Sequence, residues 1–111
     1  MKTQSSENID FSDIYDILDE IHRRPGLFLL RPNLELLYSF ISALKLTSYS
    51  DNINFKNIDK LDEFNKFVHK KLELKQHNSM SWFGAISYEF GVETIGFNKF
   101  FEFLNEFRIA D

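Results

Sequence analysis

Apolar residues recur along this chain at spacings of three and four, and no stretch sustains the polar–apolar alternation of a half-buried strand. That one feature confines the fold to packed helices. The clearest stripe is Phe97, Phe100, Phe101, Leu104 and Phe107, with Phe103 adding a second edge. It predicts a helix from Glu93 or Thr94 to Arg108. Ile14, Ile17, Leu18 and Ile21 form a second stripe, predicting a helix over Ser12–His22 capped by Asp10 or Ser12 and stopped by Pro25-Gly26. Leu34, Leu37, Tyr38, Ile41 and Leu44 form a third, opening after Asn33 as cap. Leu36, Phe40 and Ala43 widen that face, so this helix is expected to be central. Leu61, Phe64, Phe67, Val68 and Leu72 predict a helix over Asp59–Leu74, with Lys66, Lys70, Lys71 and Lys75 outward. Trp82, Phe83, Ile86 and Phe90 predict a shorter one over Ser81–Phe90, with Gly91 as its stop.

Between these stripes lie three connectors. Leu27-Phe28-Leu29-Leu30 is too short for a helix of its own and reads as a buried connector or a short extended segment. Thr47–Asn57 reads as a polar loop, and Lys75–Ser79 as a polar break. The expected fold class is therefore all-α, a compact bundle of about five helices around an aromatic-rich core. The expected organisation is a single domain over residues 1–111, with residues 1–9 a flexible N-terminus. Thirteen Phe, four Tyr and one Trp in 111 residues supply enough apolar area for such a core.

The chemistry-bearing patterns of enzymes are hard to find. There is no Cys, so disulfides and thiolate metal sites are out. His22, His69 and His77 lack metal-ligand spacing and read as surface or helix-end histidines. With four glycines there is no phosphate-cradling loop, and no Gly-x-Ser-x-Gly is present. Asp13, Asp16, Asp19 and Glu20 fall on the polar side of the first helix, and Glu102 and Glu106 stand at i, i+4 on the last. Solvated carboxylates of this kind lack the desolvation that acid–base catalysis needs. The expectation is that the chain is not an enzyme and takes no cofactor or metal. No apolar run approaches the ~20 residues that span a bilayer, and Met1–Asp10 lacks a secretory pattern, which points to the cytoplasm.

Charge is uneven. The net charge is −4, divided as −5 over residues 1–22, +4 over 23–80 and −3 over 81–111. Acidic ends disfavour direct nucleic-acid binding and suit a basic protein partner. Arg23, Arg24 and Arg31 around Pro25-Gly26 could hold an anion, or act as helix-end charges or interface anchors.

One resemblance spans most of the chain. It is carried by a helix followed by Arg-x-Pro-x-(aromatic), the Leu34/Leu37/Phe40/Ile41 helix and the Phe64/Phe67/Val68 helix. Ser81-Trp82…Ile86 and the closing Phe97…Phe107 stripe complete it. This order is similar to small bacterial immunity proteins of polymorphic toxin and contact-dependent growth inhibition systems. Members usually read Pro-x-Met-Tyr-(Leu/Ile)-Gly after the first helix, where this chain has Leu27-Phe28-Leu29-Leu30. They often carry Gly-Tyr where it has Ala43-Leu44. The resemblance implies stoichiometric binding and neutralisation of a cognate toxin C-terminal domain, often a nuclease with a basic cleft, by a monomer or weak homodimer. The residues chosen here as toxin-binding are Asp13, Asp16, Asp19 and Glu20, then Glu102 and Glu106. The competing expectation is a helical adaptor or regulatory module without a toxin partner.

Overall fold

The computed structural model describes residues 11–73 and 81–110. The expected flexible segment 1–9, the cap Asp10, the helix end Leu74, the break Lys75–Ser79 and His77 lie outside them. Among the described residues six helices follow one another: α1 (Ile14–Arg23), α2 (Pro25–Phe28), α3 (Leu34–Ser50), α4 (Lys60–Lys71), α5 (Trp82–Phe90) and α6 (Thr94–Ala110). The fold is all-α, and the one β-bridge among the described residues joins Asp13 to Lys56.

Each predicted stripe puts residues into the core, while Phe67 and Leu72 of the α4 stripe and Phe83 and Phe90 of the α5 stripe are only partly buried. Ile14, Ile17, Leu18 and Ile21 of α1 are buried, as are Leu34, Leu37 and Ile41 of α3 and Leu61, Phe64 and Val68 of α4. The centre of the molecule is α6 rather than α3. Seven α6 residues are buried, Gly96, Phe97, Phe100, Phe101, Phe103, Leu104 and Phe107, against three in α3. Leu36, Tyr38, Phe40 and Leu44 reach the core only in part, and Ala43 is exposed, because neighbours cover α3 on one side alone. Aromatic rings knit the layers together. Phe100 meets Trp82 at 4.6 Å and Phe64 at 5.4 Å, and Tyr38 stacks on Phe83 at 4.5 Å.

The helix ends have explicit causes. Asp13, not Ser12, caps α1, its Oδ1 accepting from the Tyr15 N–H at 3.0 Å and from Asn57 Nδ2 at 3.1 Å. Asn33 caps α3 as expected, accepting from the Leu36 N–H at 2.9 Å. The polar stretch expected from Thr47 as loop begins instead as helix, since α3 continues to Ser50 and stops beside Asn52, whose φ is +58°. Nothing in Thr47-Ser48-Tyr49-Ser50 breaks a helix already propagating, and three of those four side chains are small and polar. Segment 51–59 then returns to α1: Lys56 N–H donates to the Ser12 carbonyl at 2.6 Å, and Ile14 N–H to the Lys56 carbonyl at 3.0 Å. Ser81 caps α5 and Gly91, at φ +81°, ends it. Asn65 Oδ1 accepts from the Trp82 N–H at 2.7 Å and ties α4 to α5.

The segment Leu27–Leu30 departs most from expectation. Pro25 starts one turn of helix, with the Leu29 N–H donating to the Pro25 carbonyl at 2.7 Å. Only Leu29 is buried; Leu27 is 70 % and Leu30 85 % exposed. A single turn can bury only one side, so apolar composition alone does not bring all four residues inside.

Candidate interaction surface

The six acidic residues singled out from sequence separate into different environments. Asp13 is consumed by capping and by Asn57. Glu20 is not on the solvated face: it is 5 % exposed and pairs with both Arg23 and Arg24. It flanks the apolar stripe between Ile17 and Ile21, and the arginines three and four residues later fold back over it. An arginine pair at those offsets was the sequence signal for this burial. Asp16 is half-buried and engaged within the chain. Glu106 pairs with Lys71 of α4 at 2.7 Å.

Asp19 and Glu102 do come together. They line one open groove of 310 Å³ between α1 and α6, with His22, Asn98, Asn105 and Arg108. The spacing explains it. Asn98, Glu102 and Asn105 stand at i, i+4 and i+7 on α6, and Asp19 and His22 at i and i+3 on α1, so two polar rows face each other. Phe101 forms the floor, and the exposed His22 ring lies parallel on it at 4.2 Å and 3°. Arg108 Nη1 donates to Asp19 at 2.7 Å across the groove, while Lys99 donates to Glu102 at 2.9 Å. Both ion pairs are exposed, so water or a partner's charges can replace them at little cost.

Such an arrangement offers amide and carboxylate hydrogen-bonding groups on an open surface. It offers no enclosed acid–base pair. Among the described residues no group of three or more His, Asp or Glu stands where it could hold a metal ion. His69 has its Nε2 buried without a hydrogen-bond partner among the described residues, and it lies outside this groove.

Arg31 and Glu93 form a bidentate pair elsewhere, Nε to Oε1 at 3.2 Å and Nη2 to Oε2 at 3.3 Å. The hydrogen bond to Glu93 raises the Arg31 pKa. Hydrogen bonds from Arg31 first and Asn33 second hold Glu93 below the usual carboxylate range. Beside this pair, the Leu34 N–H donates to the Val92 carbonyl at 2.6 Å. These contacts clamp the start of α3 to the α5–α6 turn. Arg31 thus acts as a structural clamp in this fold.

A second surface was missed by sequence reading, which placed Leu27–Leu30 inside. Leu27, Phe28, Leu29, Leu30, Leu36 and Phe40 line an apolar groove of 550 Å³ on the outside of α2 and α3. The available signal was Pro25 as a helix start, whose single turn ends before Leu30.

No protein-family model, curated protein or solved structure matches this chain. No helix among the described residues is long and apolar enough to cross a membrane.

Proposed function

We propose that this protein is an immunity protein that binds a cognate bacterial toxin domain, a nuclease with a basic cleft, and blocks it stoichiometrically in the cytoplasm. The observation that carries the reading is the α1–α6 groove. There, two carboxylates from opposite ends of the chain, Asp19 and Glu102, stand among the amides of Asn98 and Asn105 on an open face. Open polar surfaces of this kind suit recognition of a protein's basic side chains better than turnover of a small substrate. The chain's net charge of −4 would speed association with a basic partner, whose side chains could displace Arg108 and Lys99 from Asp19 and Glu102. The resemblance of the apolar skeleton to toxin-system immunity proteins supports the same reading. The reading requires no cofactor and no direct contact with nucleic acid.

The test is co-expression with the product of the neighbouring upstream gene, tagging only that neighbour. A one-to-one complex and rescue of growth from its C-terminal domain are expected. Asp19→Lys and Glu102→Lys together should abolish rescue and slow association most at low salt. Unchanged rescue by that variant would remove this face from the mechanism. No complex and no rescue would turn the reading to an adaptor module, which the apolar α2 groove favours.

A further inference from the structure

We propose that Arg108 and Lys99 are built-in competitors for the two groove carboxylates, admitting a partner that presents several cations on one surface and refusing single ones. This rests on the reading of the α1–α6 groove as a face for basic side chains, and adds how that face selects. Both carboxylates are met by a cation of the same chain, Asp19 by Arg108 at 2.7 Å and Glu102 by Lys99 at 2.9 Å. Each cation also lies over an aromatic ring. The Arg108 guanidinium is 4.4 Å from the Tyr15 ring centroid, and Lys99 Nζ is 5.1 Å from that of Phe90. The cations are therefore the more covered partners, 32 % and 33 % exposed, and the carboxylates the more open ones, 55 % and 54 %.

A cation retained by its ring stays beside its carboxylate even when displaced. It competes at the effective concentration of a tethered group, roughly millimolar. A lone arginine in solution below that concentration loses the contest. A surface with several fixed cations engages Asp19 and Glu102 in one binding event, and its second contact is intramolecular too. Selection thus comes from an internal opponent as well as from attraction. Arg108 is the more obstructive of the two, because it lines the groove and crosses from α6 to α1, whereas Lys99 and Glu102 share one helix turn.

The probes are end-blocked hexa-arginine and end-blocked single arginine, read by the side-chain amide NMR signals of Asn98 and Asn105, which line the groove. With wild type the hexapeptide should shift both signals, and single arginine up to about 1 mM should leave them unmoved. Arg108→Gln and Lys99→Gln should each tighten hexa-arginine binding by about fivefold, the size of one exposed ion pair. Combined, they should let single arginine shift the signals. Lys66→Gln with Lys70→Gln is the charge control. It removes the same two positive charges from exposed α4 positions that do not line the groove, and should stay within about twofold of wild type because distant charges are screened. Circular dichroism checks folding, and Lys99→Gln, confined to one helix turn, carries the test alone should Arg108→Gln unfold. Tightening no greater than in the control overturns the proposal, as do amide signals that hexa-arginine leaves unmoved. A neighbour's toxin domain bound equally well by wild type and the groove double variant overturns the competitors and leaves the immunity reading standing. The expected peptide results without any complex support the competitors and overturn the immunity reading.

Discussion

Glu20 illustrates how a single side chain can be charged in sequence and interior in structure. It sits 5 % exposed under Arg23 and Arg24, which are themselves close to half-exposed. Because the arginines can rehydrate, Glu20→Ala should cost only about 1–2 kcal/mol, less than breaking a fully buried pair. Glu20→Lys places a cation beneath two others with no water to screen it, and should cost more than about 3 kcal/mol. Urea denaturation followed by Trp82 emission separates the two cases, and a neutral Glu20→Lys would show that the site opens readily. Asp13→Ala removes a cap and a loop tether together and should cost about 1–2 kcal/mol by the same measurement. Arg31 and Glu93 set a pH dependence whose sign can be worked out. Glu93 is held below the usual carboxylate range, so its contribution is complete above that range and fades as pH falls through the lowered value. The raised Arg31 stays charged throughout that interval. In Arg31→Gln the Glu93 carboxyl should titrate at higher pH, visible in its side-chain carbon shift. An unmoved titration would mean that Asn33 alone holds it.

At the scale of elements, helices with a buried stripe were legible and helices without one were not. The spacing of Ile14–Ile21, Leu61–Val68 and Phe97–Phe107 prefigured α1, α4 and α6 because most of each stripe is buried, with only Phe67 of these reaching the core in part. Period cannot show the last turn of α3, since Thr47–Ser50 carries no apolar stripe, nor α2, which is a single turn. The α1–α6 groove was half legible: Asp19 and Glu102 were singled out from sequence, but only packing of the two helices joins them and separates Glu20 and Glu106. The α5–α6 turn shows why two glycines recur five residues apart. Gly91 adopts φ +81°, and a Cβ on Gly96 would fall on the Gly91 carbonyl oxygen. Backbone has to move to admit it. Gly96→Ala should therefore cost about 1–3 kcal/mol even though alanine favours helix, and a thermal melt matching wild type would contradict that close approach.

Over the whole molecule the decisive fact is which helix is central. A wide apolar face pointed to α3, but α6 took the centre because its phenylalanines can be covered from several sides. Phe100 faces Phe64 of α4 and Trp82 of α5, and Phe97 and Phe101 reach the His22 ring on α1. Tyr38 brings α3 into the same network through Trp82 at 5.5 Å. One continuous set of rings thus joins five of the six described helices, α1 through α6 and α3 through α5, so that pulling any of the five out of the set exposes aromatic surface. Unfolding should then be a single cooperative step, with Trp82 emission and far-ultraviolet circular dichroism giving coincident transitions. Phe100→Ala removes the ring shared by α4 and α5 and should cost about 3–5 kcal/mol. Against a total of about 5–15 kcal/mol that loss consumes much of the stability. The two probes should still move together in the variant, because the cavity lies within the shared network and not in one helix pair. Separation of the two transitions, with helix persisting after Trp82 is exposed, would mean that the rings are filler and that the helices are held by their pairwise contacts alone.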